Sequence, residues 1–362
     1  MKKNALLLMP DISGYTSFVN HTETEHSGHI IAELLELLLD ADTLGLNLAE
    51  IEGDALFLYK TGDIPSLEEI KMQVRKMFKS FHEHLLLYKH RRVCDCGACS
   101  SASGLTLKFI VHIADIDFIT VRDNVKPYGP EVVKVHRLLK NEIANKEYIL
   151  LSKEACSYLE CSTEVDLKTY KTEYDFGLAE YSSIDISSYK NELSPLPDLI
   201  RKKAKTMIYE TSIEIQSPIA EVYEVVSNLA YRSLWSEGVD TVEFDRKKVN
   251  RAGTFHKCLV NGNHLEFETI KADSLGEQLV YSEKTKSVPF TTEVDNMYVF
   301  SKTEKGTKIQ VSFYVTFKKF MSVVKYFLVP QLKRSVKNNL LNLKRISEEK
   351  GLAELSRETI DE

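Results

Sequence analysis

Residues 5–9 read Ala-Leu-Leu-Leu-Met, a run without a polar side chain that Pro10-Asp11 stops abruptly. An apolar run this short, closed by a turn signal, is the pattern of a buried strand. It falls short of the roughly 7–15 apolar residues of a secretory signal, so Met1-Lys2-Lys3 ahead of it does not mark an export leader. After Asp11-Ile12-Ser13-Gly14, residues Ile30, Ile31, Leu34, Leu35, Leu37 and Leu38 recur at three- and four-residue spacing and predict a helix. Strand, glycine turn and helix therefore open the chain.

Segments 46–52 and 55–59 predict two short strands that meet at Gly53-Asp54, with Asp54 at the hairpin tip. Residues 67–88 carry Ile70, Val74, Met77, Phe78, Phe81 and Leu85 on one helical face. A strand over 105–114, a helix over 130–142 behind Gly129 and a strand over 148–151 follow. This alternation with hairpins implies an α+β or α/β sandwich. Over 183–201 the periodicity weakens and Ser, Asn, Pro195 and Pro197 accumulate, the signature of a linker. Beyond it come a strand at 205–215, a helix from Pro218 to Leu229, several strands to Phe317 and a long helix over 330–350. Ser217 is read as the N-cap of the first of these helices, with Pro218 at its first position.

With 362 residues, 43% hydrophobic and 28% charged, the chain has material for two cores. The expected division is a first domain at 1–185, a linker at 186–204, a second domain at 205–350 and a charged tail at 351–362. The net charge of -6, with Lys and Arg spread rather than gathered in a stripe, argues against nucleic-acid binding. No apolar stretch approaches the roughly 20 residues of a membrane span, because Asp40, Asp42 and Lys325 interrupt the greasiest windows. Six cysteines, three of them clustered, are not a disulfide framework, and a reducing, cytoplasmic setting is expected.

Phosphoryl chemistry needs carboxylates that converge on a triphosphate, with backbone donors near the phosphates. Asp11 and Asp54 qualify as such a pair, and Asp11 precedes a glycine turn that opens a helix, where amide groups can meet a phosphate. Pro10-Asp11-Ile12-Ser13-Gly14-Tyr15-Thr16 resembles the first-strand motif of class III adenylate and guanylate cyclases. Glu50-Ile51-Glu52-Gly53-Asp54 resembles that family's second metal motif, and Gly129-Pro130-Glu131-Val132-Val133-Lys134-Val135-His136-Arg137-Leu138 resembles its arginine-bearing helix. The resemblance covers about residues 5–185 and implies a ferredoxin-like α/β sandwich within an α+β chain. It makes Asp11 and Asp54 ligands of two Mg2+ or Mn2+ ions and Arg137 the cation that stabilises the transition state. It also implies a head-to-tail homodimer whose product is a cyclic nucleotide and pyrophosphate. Ile12, Ser13 and Gly14 would lie along the nucleotide, and Glu50 and Lys126 would occupy the base-reading positions.

Several positions depart from the family pattern. Val133 stands where active cyclases carry the asparagine that orients the ribose, and valine donates no side-chain hydrogen bond. Lys126 matches neither the adenine nor the guanine pattern, and Glu180-Tyr181 after Gly177 replaces a run that carries a phosphate-binding lysine.

Cys94, Cys96 and Cys99 place three thiols within six residues, a spacing that can share Zn2+ or form a solvent-facing, redox-sensitive loop. Residues 205–350 resemble the START-like SRPBCC domains, in which an antiparallel sheet in a helix-grip fold wraps a long helix around an apolar cavity. The resemblance rests on Ile215 to Tyr223, Trp235 to Val239, Gly253-Thr254 and Gly306-Thr307. Trp235, Phe255, Phe267, Tyr281, Tyr298 and Phe313 are the expected lining for a small hydrophobic ligand, with His256 and His264 as candidate polar groups. Two functions stay open: a nucleotidyl cyclase modulated by that ligand in signalling, and a catalytically inactive cyclase homologue acting as a nucleotide- and lipid-binding sensor or scaffold.

Overall fold

The computed structural model describes residues 2–20, 22, 24–93, 96–122, 124–161, 167–196, 206–246, 248–270, 278–318, 325–352 and 354–355. The chain forms two compact units: Met1–Leu86 with Ser101–Leu196, and Leu87–Ser100 with Pro197–Glu362.

The first unit runs β1 (Lys3–Ser13), α1 (Tyr15–Asn20), α2 (Thr24–Asp40), β2 (Asn47–Glu52), β3 (Ala55–Thr61) and α3 (Leu67–Arg91), whose last turn belongs to the second unit. After α4 (Gly97–Ser101) come β4 (Thr106–Val121), β5 (Asn124–Tyr128), α5 (Pro130–Leu138), β6 (Tyr148–Ser152), α6 (Lys153–Tyr158), β7 (Lys168–Tyr174) and β8 (Gly177–Asp185). Among the described residues the strands make one sheet in the order β2-β3-β1-β4-β6-β8-β7, with β5 paired to β4. The apolar run Ala5 to Met9 is fully buried in β1, flanked by antiparallel β3 and β4. Ala5, Leu7 and Met9 pack with Val135 and Leu138 of α5. Leu6 and Leu8 point to the opposite face by the period of two and are equally buried. Burying each leucine side chain stabilises the unit by about 1.5–3 kcal/mol, so this strand anchors the sheet.

The helix expected behind Gly14 is two helices, the short α1 and then α2, which buries Ile30, Ile31, Leu34, Leu35 and Leu38. Helix α5 ends at Leu138 rather than Glu142. Asn141 stops it, because its side-chain amide donates to Leu138 O at 2.8 Å while its oxygen accepts from Ile143 N at 3.0 Å.

The second unit runs β9 (Thr206–Ile215), α7 (Ile219–Ser227), α8 (Arg232–Trp235), β10 (Val239–Glu243), β11 (Phe255–Val260), β12 (Asn263–Ile270), β13 (Leu279–Thr285), β14 (Thr291–Thr303), β15 (Gly306–Phe317) and α9 (Lys325–Glu349). Among the described residues its sheet is antiparallel throughout, in the order β10-β11-β12-β13-β14-β15-β9. Helix α9 packs on β9, α7 and α8 and buries Val336, Leu340, Leu343 and Ile346, spaced three and four residues apart. Both units are thus α+β, the second a sheet closed over one long helix.

Two expected helix starts move. Ser217 does not cap α7: Pro218 is the N-cap, and the buried Ser217 hydroxyl donates to Ser347 O on α9. Helix α9 begins at Lys325, which leaves Pro330 inside it. The stretch 87–100 is held within the second unit. Ala252 N donates to Arg91 O at 2.8 Å, the Tyr223 hydroxyl donates to Val93 O, and the Arg251 guanidinium lies 5.2 Å from the centre of the buried Tyr88 ring. Residues 197–204 of the expected linker and most of the expected tail lie outside the described residues. No described helix is long and apolar enough to cross a membrane.

Candidate functional site

Two strand ends bring the carboxylates together. On β1, Asp11 sits opposite Ala55 of β3, the residue after Asp54. The turn between β2 and β3 is closed by Gly53 at φ 65°, a left-handed conformation suited to glycine. Ile12 N donates to Asp54 O at 3.1 Å, which pins the turn against β1. Burial, then the negative charge of Asp11, pushes the Asp54 carboxyl up to about 6. On its other side Asp11 faces Lys108 of β4, whose Nζ lies 3.1 Å from Asp11 Oδ2 and donates to Leu139 O, also at 3.1 Å. The result is a half-buried carboxylate pair with one ammonium at its edge.

Lys108 was not among the residues expected at this site. Its signal is a lone lysine in an otherwise apolar alternation, Leu107 and Phe109 beside it being fully buried. Ile12 is buried, Ser13 half-buried and Gly14 exposed at φ 95°. Phe18 N donates to Gly14 O at 3.0 Å, but α1 has only six residues and carries little of the dipole a longer helix would aim at a phosphate. An open groove of about 480 Å³ lined by Tyr15, Val19, Ile31, Leu35, Leu39 and Ile51 flanks this turn, too apolar to hold a triphosphate.

The two positions expected to read a base meet. Lys126 Nζ lies 3.0 Å from Glu50 Oε2, joining the β4–β5 hairpin to β2 at a solvent-exposed edge. Arg137 turns to Asp175, its Nε and Nη2 donating to Asp175 Oδ2 at 3.0 and 2.8 Å. Both side chains of this forked pair are about half exposed. Val133 is 51% exposed on α5, presenting methyl groups where the family pattern has an amide. His136 of the same helix reaches Glu52, between Glu50 and Asp54, and stands edge-on to Phe57 with ring centres 5.0 Å apart. This link, like Lys108, escaped the motif reading because it depends on how α5 docks on the sheet.

Cys96 and Cys99 lie one turn apart in the second unit, with Cys99 N donating to Cys96 Sγ at 3.4 Å, while Cys94 lies outside the described residues. Among the expected cavity residues, Trp235, Phe267, Tyr281, Tyr298 and Phe313 are all buried. Phe255 is not: it is 59% exposed, because β11 turns its neighbours His256 and Cys258 inward and the period of two sends Phe255 out. His264 is exposed as well.

A family described as "Protein of unknown function (DUF2652)" matches residues 31–148, and one described as "Polyketide cyclase / dehydrase and lipid transport" matches residues 206–348. The uncharacterised protein Rv2561/Rv2562 of Mycobacterium tuberculosis is 33% identical over 172 residues, covering 46% of this chain and 78% of that protein. Among solved structures, the catalytic core of a rhodopsin-guanylyl cyclase with converted specificity, in complex with ATPαS, shares 14% identity at a TM-score of 0.36 and covers 50% of this chain and 95% of its own. Adenylyl cyclase CyaB from P. aeruginosa shares 15% at 0.34, covering 51% and 96%, and Ara h 8.0201 shares 13% at 0.32, covering 38% and 93%.

Proposed function

This chain belongs to the family of the Mycobacterium tuberculosis protein Rv2561/Rv2562, and on that premise we propose that its first unit is a cyclase-type module that binds a nucleoside triphosphate with Mg2+ or Mn2+, joined to a second unit that carries a small hydrophobic ligand. The observation that carries the first half is the convergence of Asp11 and Asp54 across β1 and β3. Two carboxylates this close repel each other, and a hard, oxygen-seeking cation relieves that repulsion. Asp11 and Asp54 would hold the metal, which when bound would neutralise triphosphate oxygens. The chain's own residues do the rest: the Gly14 turn gives the phosphates access to backbone amides, and Glu50 with Lys126 offers hydrogen-bonding groups to a base. A homodimer and a cytoplasmic setting are part of the same proposal, as is Zn2+ at the cysteine loop.

Binding without turnover is the reading that the charged groups favour. Asp11, Glu50 and Arg137 each have a counter-ion within the chain, Lys108, Lys126 and Asp175 respectively, and Val133 cannot orient a ribose. Cyclisation is the second reading, since the Asp11–Asp54 carboxylate pair that would hold a metal is the pair a cyclase would use.

One experiment separates the two. The purified protein is titrated with ATP, GTP, CTP and UTP in Mn2+, and the same mixtures are analysed by mass spectrometry for cyclic nucleotide. Metal-dependent binding that Asp54→Asn weakens at least about tenfold, with no product, is the expected result. A cyclic product abolished by Asp54→Asn establishes turnover, and equal binding by wild type and variant ends the metal reading.

A further inference from the structure

Charge lies inside the second unit where an apolar lining is expected. Arg232 of α8 is 4% exposed and Glu283 of β13 is 0% exposed. Nη2 and Nη1 of Arg232 donate to Oε2 and Oε1 of Glu283 at 2.6 and 3.2 Å, and the Tyr281 hydroxyl donates to Oε1 at 2.7 Å. The carboxylate is thereby satisfied on both oxygens. His256 of β11 is 2% exposed, and its Nε2 lies 3.6 Å from Glu283 Oε1, beyond hydrogen-bonding range. Among the described residues neither nitrogen of its ring has a hydrogen-bond partner, and Nε of Arg232 has none either. The imidazole lies flat against Phe267, with ring centres 5.3 Å apart and planes 10° from parallel. The guanidinium of Arg232 is 5.8 Å from the same phenyl ring, so both unsatisfied groups border Phe267.

A domain that only enclosed hydrocarbon would gain nothing from this arrangement. Removing an ion pair from water is costly, and an apolar replacement of similar volume is often at least as stable. Buried polar atoms without partners are rare and each is destabilising. Burial holds the His256 ring neutral, its conjugate acid pushed down to about 4. The Arg232–Glu283 pair sums to zero charge, so the whole cluster is neutral. A carboxylate brought into it would be an uncompensated charge in a low-dielectric interior. A hydroxyl or carbonyl oxygen would not, and it could accept from a guanidinium N–H while exchanging a hydrogen bond with the imidazole.

We infer that the second unit binds an apolar molecule by a neutral oxygen head, a phenolic hydroxyl or a ketone carbonyl, received by His256 and the Nε–H of Arg232. The inference rests on the reading of this unit as a hydrophobic-ligand carrier and specifies what that ligand presents. The test uses the full chain and three probes of one size: 2-naphthol, naphthalene and 2-naphthoate, compared by equilibrium dialysis. Naphthol is expected to bind at least about tenfold tighter than the other two. His256→Phe should bring naphthol down to the level of naphthalene measured on the same variant, and His256→Gln, which keeps a donor and an acceptor, should retain the preference. Equal binding of naphthol and naphthalene to the wild type overturns the inference and leaves the carrier reading standing. So does a preference that survives in a folded His256→Phe. Binding of none of the three removes the carrier reading and the inference with it.

Discussion

Lys108 places an ammonium 3.1 Å from the carboxylate that a divalent cation would need, so metal and lysine compete for Asp11. Lys108→Met should therefore tighten Mn2+ binding in the absence of nucleotide by about fivefold, measured by isothermal titration; unchanged affinity would mean that the metal does not use Asp11. Asp54 and His256 make opposite demands on pH. The Asp54 carboxyl titrates at about 6 in the fold against 3.8 unfolded, so between those values the native state keeps a proton that the unfolded state has lost. Its contribution favours the fold below pH 3.8 and is lost as pH rises through about 6. Because the group is only half-buried, solvent screening reduces the effect to about 1 kcal/mol. In urea unfolding Asp54→Asn should gain about that much over wild type near neutral pH and nothing near pH 4. His256 runs the other way: it titrates at about 4 in the fold against 6.5 unfolded, so its contribution is present above 6.5 and lost as pH falls through about 4. Between about pH 7.5 and pH 5 the second unit should lose about 2 kcal/mol through this residue, a loss that His256→Phe abolishes. The single tryptophan of the chain, Trp235, is buried in that unit and reports its unfolding by fluorescence.

At the scale of elements, the β14–β15 hairpin carries a sharp constraint at Gly306, with φ at 140° and the site of a Cβ only 2.3 Å from Ile215 O and 2.9 Å from Ser217 N. Gly306→Ala must push β15 from β9 and should cost more than about 2 kcal/mol. Gly351→Ala, which meets nothing within 4 Å, should leave the Trp235 unfolding midpoint unchanged and serves as the control. Elements were legible in the sequence wherever one face is apolar throughout. The stripe of Ile70, Val74, Met77, Phe78, Phe81 and Leu85 is the buried face of α3, and Ala5 to Met9 is the buried centre of β1. Helix ends were not, because they depend on what a polar side chain finds in space. Ser217 is drawn from its own helix to Ser347 O, and Asn141 ends α5 from outside it. The phase of β11 was misread for a related reason: His256 and Cys258 are less apolar than Phe255, yet the polar interior takes them in. In the candidate site, the turn chemistry of Gly14 and Gly53 marks Asp11 and Asp54, whereas Lys108 joins them only through the β1–β4 register, which local pattern does not encode.

At the scale of the whole molecule, the second unit is assembled from two stretches far apart in sequence, since the end of α3 and the residues after it, 87–100, group with 197–362. Tyr88, Ala98 and Cys99 are all buried, Ala252 N donates to Arg91 O at 2.8 Å, and the Tyr223 hydroxyl donates to Val93 O. Composition marks a break only near Pro195 and Pro197, so a reading along the chain has no signal for this inserted piece. A fragment beginning at residue 197 would therefore lack part of its own core. Each lost hydrogen bond is worth about 1 kcal/mol and a buried tyrosine side chain adds a comparable amount or more. The fragment should fold but unfold with at least about 2 kcal/mol less stability than the same unit in the full chain, followed in both by Trp235 fluorescence in urea. Tyr223→Phe in the full chain should account for about 1 kcal/mol of that difference. Identical midpoints for fragment and full chain would show that residues 87–100 rest on the unit without supporting it, and the cysteine loop they carry would then be free of the constraint that the second unit places on its start.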